Sequence, residues 1–274
     1  MSAAALSGAQ ELRAQTYRGT HLRDSRGVYA WKDERFPSIT TLLKQMDKPA
    51  LPRWSAKMVA EHVAEFVTEI VPKQKIGWPM IQKYLGDVEE LKQIPWKYAE
   101  KRRDIGSNLH DIAEQVSGGV VVNPDVFADD LRPLVKSHLD FCTIQQPDFE
   151  AMETGCFNRA IGYACTLDTI VRLPKFGNVR AVMDYKTGKD VYEEAVIQVN
   201  AQRVAEFIGL RDGTELPMIS CEKNMVLLVQ EAGWKLFECP IVTEIDDVLR
   251  ALVTLYNFKK AAYKPAEIAA QETN

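Results

Sequence analysis

The order of apolar patterns along the chain predicts an α/β fold, a mixed β-sheet flanked by helices, preceded by a mostly helical N-terminal lobe. Two observations carry this. From residue 95 to 274 the sequence reads as helices, three strands, a helix, two strands and a last helix. Before it, residues 1–94 carry a short hairpin pattern and then helical patterns broken by proline and glycine. With 46% hydrophobic and 26% charged residues over 274 positions, the chain can bury one large core with an appended lobe.

In "THLRDSRGVYAW", Asp24 to Gly27 read as a turn between short strands. "FPSITTLLKQM" opens a helix with Ser38 as N-cap, ended by Pro49 and Pro52. "RWSAKMVAEHVAEFVTEIV" begins another, because Met58, His62, Phe66 and Ile70 recur at helical spacing. "VPKQKIGWPM" punctuates the chain before "IQKYLGDVEELKQI". In "IPWKYAEKRRDIGSNLHDIAEQVSGG", Ile105, Leu109, Ile112 and Val116 make one apolar helical stripe, ended by Gly118 and Gly119. Gly106 and His110 lie four apart on a neighbouring stripe. A further helix is expected over roughly 124–145, then strands "METGCFN", "YACTLDTIVRL" and "VRAVMDYKT". "EEAVIQVNAQRVAEFIGL" reads as helix, "MVLLVQ" and "WKLFECPIV" as strands, and "EIDDVLRALVTLYNFKKAAY" as a last helix before a polar tail.

Composition narrows the function classes. No apolar run approaches the roughly 20 residues of a membrane span. "MSAAALSGAQELRAQ" lacks the basic region and apolar core of a secretion signal, so a cytoplasmic protein is expected. Cys142, Cys156, Cys165, Cys221 and Cys239 are odd in number and form no Cys-x-x-Cys pair, which indicates reduced thiols rather than a zinc knuckle or disulfide framework. A net charge of −4 argues against coating nucleic acid by bulk electrostatics. It leaves room for a nuclease, whose metal-holding carboxylates lower the net charge while a local basic groove tracks phosphates.

Asp184 and Lys186 stand two apart inside an apolar strand, so they point to one face, about 6.6 Å apart at Cα. An exposed ion pair contributes only about 0–1 kcal/mol, a weak reason to place charges there. Asp168 lies in the preceding strand and Glu153 in the one before, so the three carboxylates can converge. Close carboxylates repel, and a divalent cation relieves them; Mg²⁺ takes oxygen ligands and shares them with water and substrate phosphates. Lys186 then has a role beside the attacking water, and Gln198 on the following helix can hold either. Singly, each residue has a plainer reading. Asp184 and Lys186 can be a solvated pair, His110 a core-edge histidine, Glu153 a partner of Arg159, and "KYAEKRRD" a solvated face.

As a set, Asp168 followed by "DYK" at 184–186 resembles the PD-(D/E)XK metal-dependent nucleases. "GSNLH" at 106–110 is similar to the Gly-Thr-x-x-His motif of their RecB-like members, with Ser107 for the threonine. Gln198 and Gln202 resemble their Gln-x-x-x-Tyr motif with the tyrosine replaced. With "YACTLD" and "FPSITTLL", the combination looks most like phage-type exonucleases related to CRISPR-associated RecB-like nucleases, over roughly residues 96–210.

The resemblance implies a restriction-endonuclease-like core holding Mg²⁺ or Mn²⁺. The metal ligands it implies are His110, Asp168, Asp184, Glu153 and the Tyr185 backbone carbonyl; Asp168, Asp184, Lys186 and Gln198 carry catalysis. Iron–sulfur members have one N-terminal and three C-terminal cysteines; this chain has none before Cys142, so no iron–sulfur cluster is expected. The substrate it implies is DNA, as a single strand or duplex end, with Lys101, Arg102 and Arg103 expected on its phosphates. Trp54, Trp78 and Trp96 are the candidates for stacking on unpaired bases. The setting the resemblance implies is phage DNA recombination, repair or replication in the host cytoplasm, with recombination or replication proteins as expected partners. The competing expectations are a noncatalytic nucleic-acid-binding or accessory module on the same fold, and a structure-specific endonuclease.

Overall fold

The computed structural model describes residues 22–70 and 78–263. The N-terminal stretch read for a secretion signal, the connection at 71–77 and the polar tail from 264 lie outside the described residues.

Strand β1 (Val28–Trp31) pairs antiparallel with β2 (Glu34–Pro37). The Asp24–Gly27 turn forms, its Asp24 carboxylate accepting the Arg26 and Val28 N–H groups, and across it Arg23 makes an antiparallel bridge to Tyr29 of β1; the residues before 22 lie outside the described residues. The hairpin itself reverses at Lys32, whose φ is 51°. Short helix α1 (Ile39–Leu42) is capped as expected, the Thr41 N–H donating to Ser38 Oγ at 3.0 Å. Helix α2 (Ala50–Glu65) already includes Pro52, which sits in the first turn where the missing N–H costs no helical bond.

Helix α3 (Trp78–Leu85) ends at Gly86, in left-handed conformation at φ 76°. Asp87 and Glu90 then exchange side-chain-to-backbone bonds that start α4 (Val88–Ser117), which therefore begins before residue 95. Helix α5 (Arg132–Gln145) is shorter than expected, because Pro124–Val126 form a separate 3₁₀ turn.

Strands β3 (Asp148–Asn158), β4 (Tyr163–Leu173) and β5 (Val179–Lys186) follow, then α6 (Glu193–Arg203) and β6 (Phe207–Gly209). The single helix expected over 193–210 is thus two elements. Phe207 and Ile208 pair with Phe157 and Cys156, and Asn158 Nδ2 donates to the Val204 carbonyl at 2.9 Å; strand pairing outweighs the local helical pattern. Strands β7 (Glu215–Pro217), β8 (Lys223–Gln230) and β9 (Gly233–Cys239) and helix α7 (Ile245–Lys260) complete the chain.

The large sheet runs β7-β6-β3-β4-β5-β8-β9. Strands β5 and β8 are parallel, with α6 in the crossover, and the other neighbours are antiparallel, so the sheet is mixed and flanked by helices as predicted. Strand alternation sorts its faces. Val182 and Val226 pack with Leu42, Val199 and Leu249 of α1, α6 and α7. Met183, Tyr185 and Leu227 pack with Leu109, Leu134 and Phe141 of α4 and α5. Tyr29, Trp31 and Phe36 dock the hairpin on Phe157 and Phe207 in an aromatic cluster. The five cysteines are free thiols; Cys156 and Cys165 face each other across β3 and β4 with sulfurs 3.2 Å apart. Among the described residues, no helix is long and apolar enough to cross a membrane.

Candidate metal centre

The centre forms where β3, β4 and β5 meet α4 and α6. Glu153 and Asp168 occupy facing positions between the registered pairs Met152–Thr169 and Thr154–Leu167. Carboxylates directly opposite each other destabilise a sheet unless something compensates them. Strand β3 is irregular here, with a register shift between Phe149 and Ala151 that leaves Glu150 as the extra residue. Glu153 itself is buried with φ 46°, a left-handed conformation that non-glycine residues seldom adopt.

Helix α4 brings His110 against these acids, its Nδ1 3.1 Å from Glu153 Oε1 and 3.6 Å from Asp168 Oδ2. One donor atom each from His110, Glu153 and Asp168 lie within 4.8 Å of one another. Asp168 Oδ2 also accepts the Tyr185 N–H at 2.9 Å, which ties it to β5. Tyr185 thus meets the site through its N–H, a different backbone group from the carbonyl expected as a ligand, while its buried ring lies edge-on to His110 and to His138.

Fully buried Asp184 ion-pairs with Lys186 through Oδ2 and accepts from Gln198 Nε2 at 2.7 Å through Oδ1. Lys186 Nζ donates to Gln198 Oε1 at 3.2 Å, so this amide bridges acid and amine. Lys186 and Gln198 line a cleft of about 210 Å³, together with Tyr192, Asp190 and the Lys48–Glu194 ion pair.

Charge is crowded here. Burial pushes the Asp184 pKa up to about 7, with the Asp168 charge adding and Lys186 opposing. Burial also raises Asp168, reinforced by Glu153 and countered by His110. For His110, burial is the largest influence and acts downward. The Asp168 charge, the Glu153 hydrogen bond and the charges of Glu153 and Asp184 together outweigh it and raise the pKa to about 9. Lys186 likewise is lowered by burial but raised on balance by Asp184 and Asp168. Protons and one ammonium group hold these acids together, the arrangement a divalent cation can replace. One imidazole and two carboxylates fit such an ion: the oxygens suit Mg²⁺ and Mn²⁺, and the nitrogen favours the transition metal.

His110, Glu153, Asp168, Asp184, Lys186 and Gln198 therefore come together. Glu153 meets His110 and not Arg159, which pairs with Glu34 and Glu215. The basic run is less uniform. Lys101 pairs with Asp130 at 2.9 Å, and Arg102 donates to the Thr187 carbonyl at 2.6 Å. Arg103 is exposed and has no ion-pair partner among the described residues. Gln202 is buried and donates to the Thr166 carbonyl, two residues before Asp168. Trp54 contacts Tyr98, Trp96 is 71% exposed, and the Trp78 side chain lies outside the described residues.

Two residues around the site have no local signature in the sequence. Lys48 reaches the cleft from the segment before α2, and Gln230 donates to the Gly188 and Lys189 carbonyls at 3.0 and 3.1 Å. Both are brought in by long-range packing. The chain matches no protein-family model and no curated protein.

Proposed function

We propose that the protein is a divalent-metal-dependent DNA exonuclease of the PD-(D/E)XK type, with a restriction-endonuclease-like core. The observation that supports this most is the convergence of His110, Glu153 and Asp168 within 4.8 Å, next to the bridged Asp184–Lys186 pair. Burying so many ionisable groups together lowers stability and is typical of sites selected for chemistry.

In this reading His110, Glu153, Asp168 and Asp184 hold Mg²⁺ or Mn²⁺. The cation, when bound, lowers the pKa of water and offsets charge on the phosphoryl oxygens. His110 ligates as neutral imidazole, so it gives up the proton that Glu153 and Asp168 otherwise stabilise. Lys186, which lines the cleft and is steered by Asp184 and Gln198, orients the attacking water and stabilises the charge that grows on the phosphoryl group. Arg103 on the open face of α4 contacts the incoming strand.

The test is degradation of end-labelled single- and double-stranded DNA with Mg²⁺ or Mn²⁺. Wild type should shorten the label from an end, and EDTA or Lys186→Ala should cut the rate by roughly 10²-fold or more. Cleavage of closed circles as fast as linear DNA would replace the exonuclease reading with an endonuclease. DNA left intact under every metal condition would remove the catalytic reading altogether.

A further inference from the structure

We propose a second binding site, away from the acid cluster: the cleft between the β1–β2 hairpin and the C-terminal end of α7 takes a phosphorylated ligand, held by Arg23, Arg35 and Lys260. Period-two alternation builds one wall. Tyr29 and Trp31 turn into the aromatic cluster, which leaves Val28 and Ala30 facing outward. Arg35 pairs across the hairpin with Ala30, and both line the cleft. Arg23 is bridged to Tyr29 at the start of the same strand. The opposite wall is α7, where Tyr256 and Lys260 are four residues apart and so share a side of the helix. Together they enclose about 600 Å³.

The charges in this cleft are unbalanced. Arg26 is neutralised by Asp24 at 2.8 Å. The other three cations have no carboxylate partner among the described residues. Arg23 donates to the Thr40 hydroxyl at 3.2 Å, Arg35 to the Lys32 and Glu34 carbonyls at 3.3 and 2.9 Å, and Lys260 forms no ion pair among the described residues. Elsewhere on this chain Lys32, Lys48, Lys101, Arg159, Arg172 and Arg180 each meet an acid. Three cations with no acid partner among the described residues share one concavity and repel each other, and a polyvalent anion relieves that repulsion. Two guanidinium groups and an ammonium suit phosphoryl oxygens, since the guanidinium fork matches them in bidentate fashion. Val28, Ala30 and Tyr256 offer an apolar surface to the remainder of the ligand. The shared chemistry is a phosphoryl group, carried by a free polyphosphate or by a nucleic-acid backbone.

The experiment is titration of the full chain in EDTA with inorganic pyrophosphate and, separately, with a fluorescent thymidine oligonucleotide. Arg35→Glu/Lys260→Glu is compared with Lys175→Glu/Lys235→Glu, an equal charge reversal at exposed positions elsewhere. At least one probe should bind wild type and the control alike, and the cleft variant should weaken it by roughly tenfold or more. Displacement of the oligonucleotide by pyrophosphate supports the site and assigns it to free phosphoryl ligands. Binding of the oligonucleotide alone supports it and assigns it to a strand. Failure of both probes to bind, or equal loss in both double variants, overturns the proposal. All four positions are exposed, so melting temperatures should match wild type and exclude misfolding. Metal is absent throughout, so the result stands or falls independently of the nuclease reading.

Discussion

His110 is charged at neutral pH because two acids hold its proton, and that proton competes with any metal ion for the same lone pair. The consequence for stability has a definite sign. The folded pKa of about 9 lies above the unfolded 6.5, so His110 stabilises the metal-free protein fully below pH 6.5. That contribution is lost as the pH rises through 9. Asp184, raised from 3.8 to about 7, adds a loss of the same sign over its own lower range. Melting in EDTA should therefore fall between pH 6.5 and 9, by roughly 3–8 °C if about 2 kcal/mol is lost. The stabilisation given by Mn²⁺ should grow over the same interval, because its ligands have shed their protons. His110→Asn should flatten the metal-free profile between those limits; a profile unchanged by that substitution would refute the account. Lys186→Ala has a separate cost, since it leaves Asp184 buried without a counter-charge. The double variant Asp184→Asn/Lys186→Met should be more stable than Lys186→Ala alone, as thermal melts can show.

At the scale of elements, the site depends on how α4 is fastened to the turn that follows β5. Arg102 bonds the Thr187 carbonyl, and Gly106 lies where an added Cβ would come 3.4 Å from Thr187 Oγ1, so the helix packs closely on the turn behind Lys186. Gln230 holds the Gly188 and Lys189 carbonyls from the other side. The sequence suggested phosphate contacts for Lys101, Arg102 and Arg103 alike, because a basic run says nothing of which side chains the fold uses internally. The structure separates them, and salt dependence can test the separation. Arg103→Ala should weaken DNA binding and reduce the salt slope by about 1, as expected for one lost phosphate contact. Arg102→Ala should leave that slope unchanged and instead lower stability by about 1–2 kcal/mol, the cost of an unmet carbonyl and a lost charged hydrogen bond. Equal slope changes for both would return Arg102 to the strand path. Glu153 shows the same limit differently: its place on β3 was legible from an apolar run, whereas its positive φ and the bulge before it arise from pairing with β4.

For the whole molecule, what could be read in advance was whatever repeats locally. Strand β4 has the bounds that "YACTLDTIVRL" suggested, the Ile105–Leu109–Ile112 stripe of α4 is buried, and Ser38 caps α1. Strand β6 was hidden inside a helical pattern because its partners, Phe157 and Cys156, lie about fifty residues earlier in the sequence. That hidden strand also decides how the hairpin joins the sheet. Gly209 ends β6, and a Cβ there would stand 2.5 Å from the Trp31 ring. The ring has little freedom to withdraw. It packs 5.3 Å from Phe157 and 6.1 Å from Phe207 between centroids, and its Nε1 donates to Glu215 at 3.0 Å. Gly209→Ala should therefore act as overpacking and cost about 1–3 kcal/mol, a fall of roughly 2–10 °C in melting temperature. The hairpin also carries Tyr29, whose hydroxyl bonds Thr166 at 2.7 Å, two residues before Asp168. The acids are held by His110, the Tyr185 N–H, Lys186 and Gln198, none of which lies in the hairpin, so Mn²⁺ affinity should change only a few-fold while stability drops. Thermal melts and a Mn²⁺ titration of the same variant measure both. An unchanged melting temperature would mean that Trp31 does not fill the space over Gly209, whereas a collapse of metal affinity would make the hairpin part of the centre's own scaffold.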